Sequence, residues 1–127
     1  MDAIVSAADL KEGETVLEIG PGKGILTEAL LSAGVKVLAV EKDSDMVALL
    51  KTRFQKEIVN KKLNLVEADI LNLQPETYDL QPGSYKLVAN IPYNITGEIL
   101  RKFIGGEVKP ALAVLLEIGR ASCRERV

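Results

Sequence analysis

The chain of 127 residues has no histidine, no tryptophan, one cysteine, and an aromatic content of only 4%. Without histidine, imidazole acid–base catalysis and His-ligated metal centres are excluded. A lone cysteine supports neither a disulfide framework nor a zinc site. No stretch approaches the roughly 20 apolar residues of a membrane-spanning helix, and no charged n-region followed by a long apolar h-region opens the chain. The expectation is therefore a cytoplasmic protein without a membrane partner or a metal. Basic residues do not dominate either: 16 Lys and Arg against 18 Asp and Glu give a formal net charge of −2. A protein that grips nucleic acid unaided usually carries a basic face, so composition argues against this chain holding RNA alone.

What is present suits one soluble domain with a core of its own, at 47% hydrophobic and 27% charged residues. Repeats and low-complexity segments are absent. Residues 1–9 (MDAIVSAAD) bring Ile4, Val5 and Ala8 to helical spacing ahead of a Lys-Glu-Gly turn. Residues 14–20 (ETVLEIG) form a short β-branched, apolar run ending at glycine, which predicts a strand. Gly20-Pro21-Gly22-Lys23-Gly24 follows, then ILTEALLSAG, with helical periodicity and a stop at Gly34. Strand, glycine loop and helix make a nucleotide-binding turn, where the backbone approaches a ligand closely and the helix N-terminus offers free amides. The plainer alternative is a tight βα turn with no ligand.

The spacing narrows the nucleotide. A dinucleotide fingerprint asks for glycine or alanine where Ile25 stands. The run from Glu18 through Gly20, Gly22 and Gly24 instead resembles the first motif of S-adenosylmethionine enzymes. Residues 35–40 (VKVLAV) predict a second strand ending in Glu41-Lys42-Asp43. An acid there, about 20 residues past the glycine loop, is placed to take both ribose hydroxyls of an adenosine, so Glu41 is the expected ribose ligand, with Lys42 beside it. Asp43 or Ser44 should cap the helix SDMVALLKTRFQ, whose expected buried stripe is Met46, Leu49 and Leu50. Residues 61–72 hold a third strand (Leu63, Leu65, Val66) running into Ala68-Asp69-Ile70. Asp69 is either an acceptor for a ligand amine with Ile70 packed on the ring, or an ordinary Asx-turn aspartate.

The chemistry is expected at Asn90-Ile91-Pro92-Tyr93, where the apolar run 85–89 meets a proline. Strand ends opening into loops are where open α/β sheets place their sites. An amide, exposed carbonyls, a rigid turn and an aromatic face can hold a flat ring bearing an amino group. That nitrogen is a poor nucleophile because its lone pair is delocalised. The Asn90 side-chain oxygen and the Ile91 carbonyl, accepting both amino hydrogens, would favour a pyramidal nitrogen; Pro92 would fix the turn and Tyr93 would stack on an unstacked base. Otherwise the stretch only turns the chain and starts the helix ITGEILRKFI.

Asn-Ile-Pro-Tyr after an apolar strand, downstream of VLEIGPGKG, resembles the rRNA adenine N6-dimethyltransferase family over residues 7–116, and the run AADLKEGETVLEIGPGKGILTEALL is closer to the small-subunit (16S) type than to the large-subunit branch. The resemblance implies an α/β, Rossmann-like, doubly wound sheet of order 3-2-1-4-5, with S-adenosyl-L-methionine as cofactor and rRNA of the small ribosomal subunit as partner. It also implies a monomer, Asp69 on the cofactor's adenine amine, and cofactor contacts from Glu18 to Asn90. Family members add further strands and a small RNA-binding helical domain. Here residues 109–116 (KPALAVLL) give a fifth strand that runs into EIGRASCRERV, and a reverse translation beginning GAGATCGGAAGAGC reads as a sequencing-library adapter. The expected division is thus a partial methyltransferase domain, 1–116, and a non-native tail, 117–127, leaving the fifth strand with an exposed edge. Two other readings stay open: a catalytically silent RNA-binding or ribosome-assembly factor, and a nicotinamide-dependent oxidoreductase.

Overall fold

The computed structural model describes residues 2–91, 95–117 and 122–126, with side chains for 5–90 and 95–115. In chain order the elements are α1 (Asp2–Ala8), β1 (Thr15–Ile19), α2 (Ile25–Ser32), β2 (Lys36–Glu41), α3 (Ser44–Arg53), α4 (Gln55–Val59), β3 (Leu63–Glu67), β4 (Lys86–Ile91), α5 (Thr96–Phe103), β5 (Leu112–Glu117) and β6 (Ser122–Arg126). A 3-10 turn, Pro75–Tyr78, interrupts the loop between β3 and β4. The described strands form one sheet of order β3-β2-β1-β4-β5-β6. The first five are parallel, as expected, and β6 runs antiparallel to β5.

Strands covered by helices on both faces are apolar on both, and β1 and β2 are buried along nearly their whole length. One face carries Leu17, Leu38, Leu87 and Leu115 under Ile99 and Phe103 of α5. The other carries Val16, Val37, Val88 and Val114 under Ala8 of α1, Leu26 and Leu30 of α2, and Leu50 of α3 with Phe54 just beyond it. Each fully buried leucine among these contributes about 1.5–3 kcal/mol of transfer free energy. The two layers hold the sheet rigid, and its strand order reverses between β1 and β4.

Three expectations change. The buried residues of α3 are Val47 and Leu50, while Leu49 is 43% exposed and Met46 only partly buried. Asp43 caps the helix by accepting the Asp45 and Met46 amides, and that start turns the 47–50–54 stripe, not 46–49, toward the sheet. Next, β4 does not stop at Ala89: Asn90 and Ile91 still pair with Leu116 and Glu117. Finally, the outer edge of β5 is covered, because Ser122–Arg126 supplies backbone partners along it. Ladder bonds are made by main chain, so an extended segment can satisfy a bare edge whatever its side chains.

Candidate active site

The carboxyl ends of β1 to β4 surround one cavity of about 270 Å³. It lies where the strand order reverses, the place in an open parallel sheet where neighbouring loops diverge and leave a crevice. Ile19, Val40, Ala68, Ile70, Leu71 and Ile95 give it apolar walls; Gly20, Glu41, Lys42, Asp69 and Asn90 give it polar points. Of the residues singled out in the sequence, Gly20, Glu41, Lys42, Asp69, Ile70 and Asn90 are brought together here. Pro92 and Tyr93 lie outside the described residues, and of Ile91 only the backbone is described.

Glu41 is the most constrained of these groups. Its Oε1 accepts the Gly22 amide at 3.1 Å and its Oε2 accepts the Asp43 amide at 3.0 Å. A carboxylate oxygen has two acceptor positions, so each keeps one for a ligand hydroxyl while the amides fix the plane. The Gly22 bond also ties the glycine loop to the end of β2, so the loop and the Glu41 carboxylate form one unit.

Gly24 has another duty than the one expected. With φ +94° it is the N-cap of α2, and a Cβ there would lie 2.7 Å from Phe54 Cε2 and 2.9 Å from Leu50 Cδ2. It lets α2 and α3 pack, and neither it nor Gly22 lines the cavity. Arg53, which the sequence reading passed over, clamps the same loop: its guanidinium donates to the Lys23 carbonyl at 2.6 Å and to Glu28 at 2.5 Å.

Glu18 also departs from its expected place. It is fully buried, off the cavity wall, and accepts the Thr27 hydroxyl at 2.6 Å from the first turns of α2. Its other oxygen has no partner among the described residues. Burial pushes the carboxyl up to about 7, Thr27 opposing and the Glu41 charge adding to the rise. The alternation of β1 explains the placement: Glu18 shares the α2-facing side with Val16, whereas Ile19, one residue on, meets the cavity.

Asp69 makes the Asx turn and also faces the cavity. Its Oδ1 accepts the Leu71 amide at 3.0 Å, an Asx turn, and the residue lines the cavity. Lys102 of α5 reaches the same turn, its partly buried Nζ donating to the Leu71 carbonyl at 3.1 Å. Chemically, the cavity offers a carboxylate held for two hydroxyls, a second carboxylate for an amine edge, apolar walls for a flat ring, and an amide at the strand end beside them. This set fits an adenosine; at roughly the 300 Å³ lower bound for ligand pockets, the enclosed part suits a nucleoside.

Over residues 1–121 the chain matches the family described as Ribosomal RNA adenine dimethylase. It is 41% identical over 116 residues to the Ribosomal RNA small subunit methyltransferase A of a Dehalococcoides mccartyi strain, covering 91% of this chain and 39% of that protein. To the protein of the same description in Thermosynechococcus vestitus it is 47% identical over 108 residues, covering 84% and 37%. Among solved structures it resembles a dimethyladenosine transferase from Plasmodium falciparum (TM-score 0.73, 35% identity, 90% of this chain and 39% of that one). It also resembles the 23S rRNA methyltransferase ErmE (TM-score 0.74, 27% identity, 89% and 43%). The chain thus spans about 39% of the length of the curated relatives it matches.

Proposed function

The chain belongs to the ribosomal RNA adenine dimethylase family, and we propose that it is the cofactor-binding portion of an S-adenosyl-L-methionine-dependent enzyme that methylates adenine N6 in small-subunit rRNA. The observation that carries this reading is the convergence of Glu41, Asp69 and Asn90 on one cavity at the strand-order reversal. Small-subunit rRNA is favoured over large-subunit rRNA by 41% and 47% identity to the small-subunit proteins against 27% to the 23S enzyme.

In this reading Glu41 takes the ribose hydroxyls, Asp69 takes the adenine amine, and Val40, Ala68 and Ile70 pack on the ring. S-adenosylmethionine, when bound, supplies an electrophilic methyl group on a sulfonium. Asn90 Oδ1 and the Ile91 carbonyl accept the two amino hydrogens of the target adenine and free the nitrogen lone pair. Pro92 fixes the turn and Tyr93 stacks on the flipped-out base. In this reading methyl transfer is a direct displacement that needs no covalent intermediate; positioning and aligned acceptors carry the rate.

Calorimetry with S-adenosylhomocysteine tests the reading. The chain should bind it, and Glu41→Ala should weaken binding by at least about tenfold, a loss of about 1.4 kcal/mol. Binding of NADH without binding of the adenosyl ligand would sink it. The division of the chain at Leu116 belongs to the same proposal. The family match ends at residue 121, inside the expected tail, and resequencing the source locus across codons 116–127 decides whether EIGRASCRERV is native.

A further inference from the structure

The turn that carries Asp69 is fastened from two sides. Inside it, Asp69 Oδ1 accepts the Leu71 amide at 3.0 Å, and the Asn72 amide donates to the Asp69 carbonyl at 2.9 Å. From outside, Lys102 Nζ donates to the Leu71 carbonyl at 3.1 Å. The Leu71 peptide groups are therefore held at both N–H and C=O, one by the cavity carboxylate and one by a cation from α5. A charge-assisted bond to a carbonyl is stronger than a neutral one, and this one is partly shielded from water. Among the described residues no carboxylate pairs with Lys102, so its charge is directed at the turn.

Lys102 also sits on a helix that belongs to the other half of the site. Ile95, just ahead of α5, lines the cavity, and Lys102 follows seven residues later, about two helical turns on and so on the same side. Between them Ile99 is fully buried in the shared core, and Phe103 packs there too. The helix is thus rigidly seated, and Lys102 transmits that seat to residues 69–71.

We propose that Lys102 is a positioning residue for cofactor selection: by holding the Leu71 carbonyl it fixes the Asx turn that presents the Asp69 carboxylate to the adenine amine. The inference rests on the adenosyl-cofactor reading above and adds to it the residue that makes the adenine acceptor rigid. Without Lys102 the turn keeps its Asp69–Leu71 bond but loses its tie to α5, and the carboxylate samples orientations in which the amine edge is no longer preferred.

The test compares S-adenosylhomocysteine with S-inosylhomocysteine, which replaces the adenine amine by a carbonyl, on the whole chain and on Lys102→Met, Lys102→Gln and Lys102→Arg. The parent chain should prefer the adenosyl ligand. In Lys102→Met and Lys102→Gln the adenosyl affinity should fall about tenfold, the inosyl affinity much less, and the preference should shrink accordingly. Lys102→Arg, which restores a cationic donor, should recover most of it. Amide exchange at Leu71 in the ligand-free protein should be faster in the Met and Gln variants and near normal in Arg. Equal losses for both ligands, an unchanged preference, or unchanged Leu71 exchange would overturn the proposal. A parent chain that binds neither ligand overturns the cofactor reading itself, and this inference falls with it.

Discussion

Thr27 Oγ1 and Glu18 Oε1 lie 2.6 Å apart inside the protein, joining the end of β1 to the first turns of α2 directly beneath the glycine loop. The carboxyl has no other partner among the described residues and is pushed by burial from 4.5 to about 7. A folded-state pKa above the unfolded one means the native state holds the extra proton between those values. The contribution is therefore fully present below about pH 4.5 and is lost as pH rises through about 7. A shift of this size corresponds to something on the order of 3 kcal/mol. Glu18→Gln keeps the acceptor for Thr27 and cannot ionise. Urea titrations from pH 5 to 8.5 should show the parent losing stability relative to Glu18→Gln as pH rises; a constant difference would mean the carboxyl does not titrate there.

Gly24 and Gly22 both have positive φ, +94° and +57°, but different surroundings. A methyl group at Gly24 meets Phe54 and Leu50 below 3.0 Å, whereas nothing lies within 4 Å at Gly22. Gly22→Ala should cost only the left-handed backbone penalty, about 1–2 kcal/mol. Gly24→Ala adds overpacking of about 1–3 kcal/mol. The urea midpoint should fall clearly further for Gly24→Ala, and equal midpoints would show that α2 and α3 adjust freely.

Val47 and Leu49 provide a matching test of the α3 face. Val47 is 2% exposed under the sheet and Leu49 43%. Val47→Ala should destabilise by roughly 1–2.5 kcal/mol, and Leu49→Ala by less than about 0.5 kcal/mol. The reverse order in chemical denaturation would return the buried stripe to residues 46 and 49.

The parallel sheet is legible in the sequence because each strand is a short apolar run ending at a glycine, at an acid or, for β4, at an asparagine just ahead of a proline. The loop chemistry at those ends put Glu41, Asp69 and Asn90 in view as well. Motif spacing gives the position of Glu18 along the chain but not which side of β1 its side chain takes; strand alternation places it against Thr27 of α2 and off the cavity wall. Gly24, Arg53 and Lys102 owe their roles to contacts across 30 or so residues, Arg53 with Lys23 and Lys102 with Leu71, which no local pattern encodes. On α3, Met46, Val47, Leu49 and Leu50 are all apolar, so periodicity alone admitted two faces, and only packing against the sheet chose between them.

Asn90 lines the cavity at the last turn of the pleat before the chain leaves β4. If its role is to accept an amino hydrogen of the target adenine, the oxygen matters and the amide donor does not. Asn90→Asp keeps an acceptor there, and its negative charge suits a nitrogen that turns positive as it is methylated. Asn90→Ala removes the acceptor altogether. With the substitution placed in the full-length enzyme of which this chain is proposed to be the cofactor-binding portion, and that enzyme in single-turnover excess over an adenine-bearing small-subunit RNA fragment, Asn90→Ala should lose about 10²–10³ in rate, the usual cost of one oriented electrostatic partner. Asn90→Asp should keep a measurable fraction. Affinity for S-adenosylhomocysteine should change less than about threefold in both, because the loss belongs to the transition state and not to cofactor binding. An inactive Asp variant beside a partly active Ala variant would assign the work to the amide hydrogens, and a parallel collapse of cofactor affinity would move Asn90 from the target base to the cofactor.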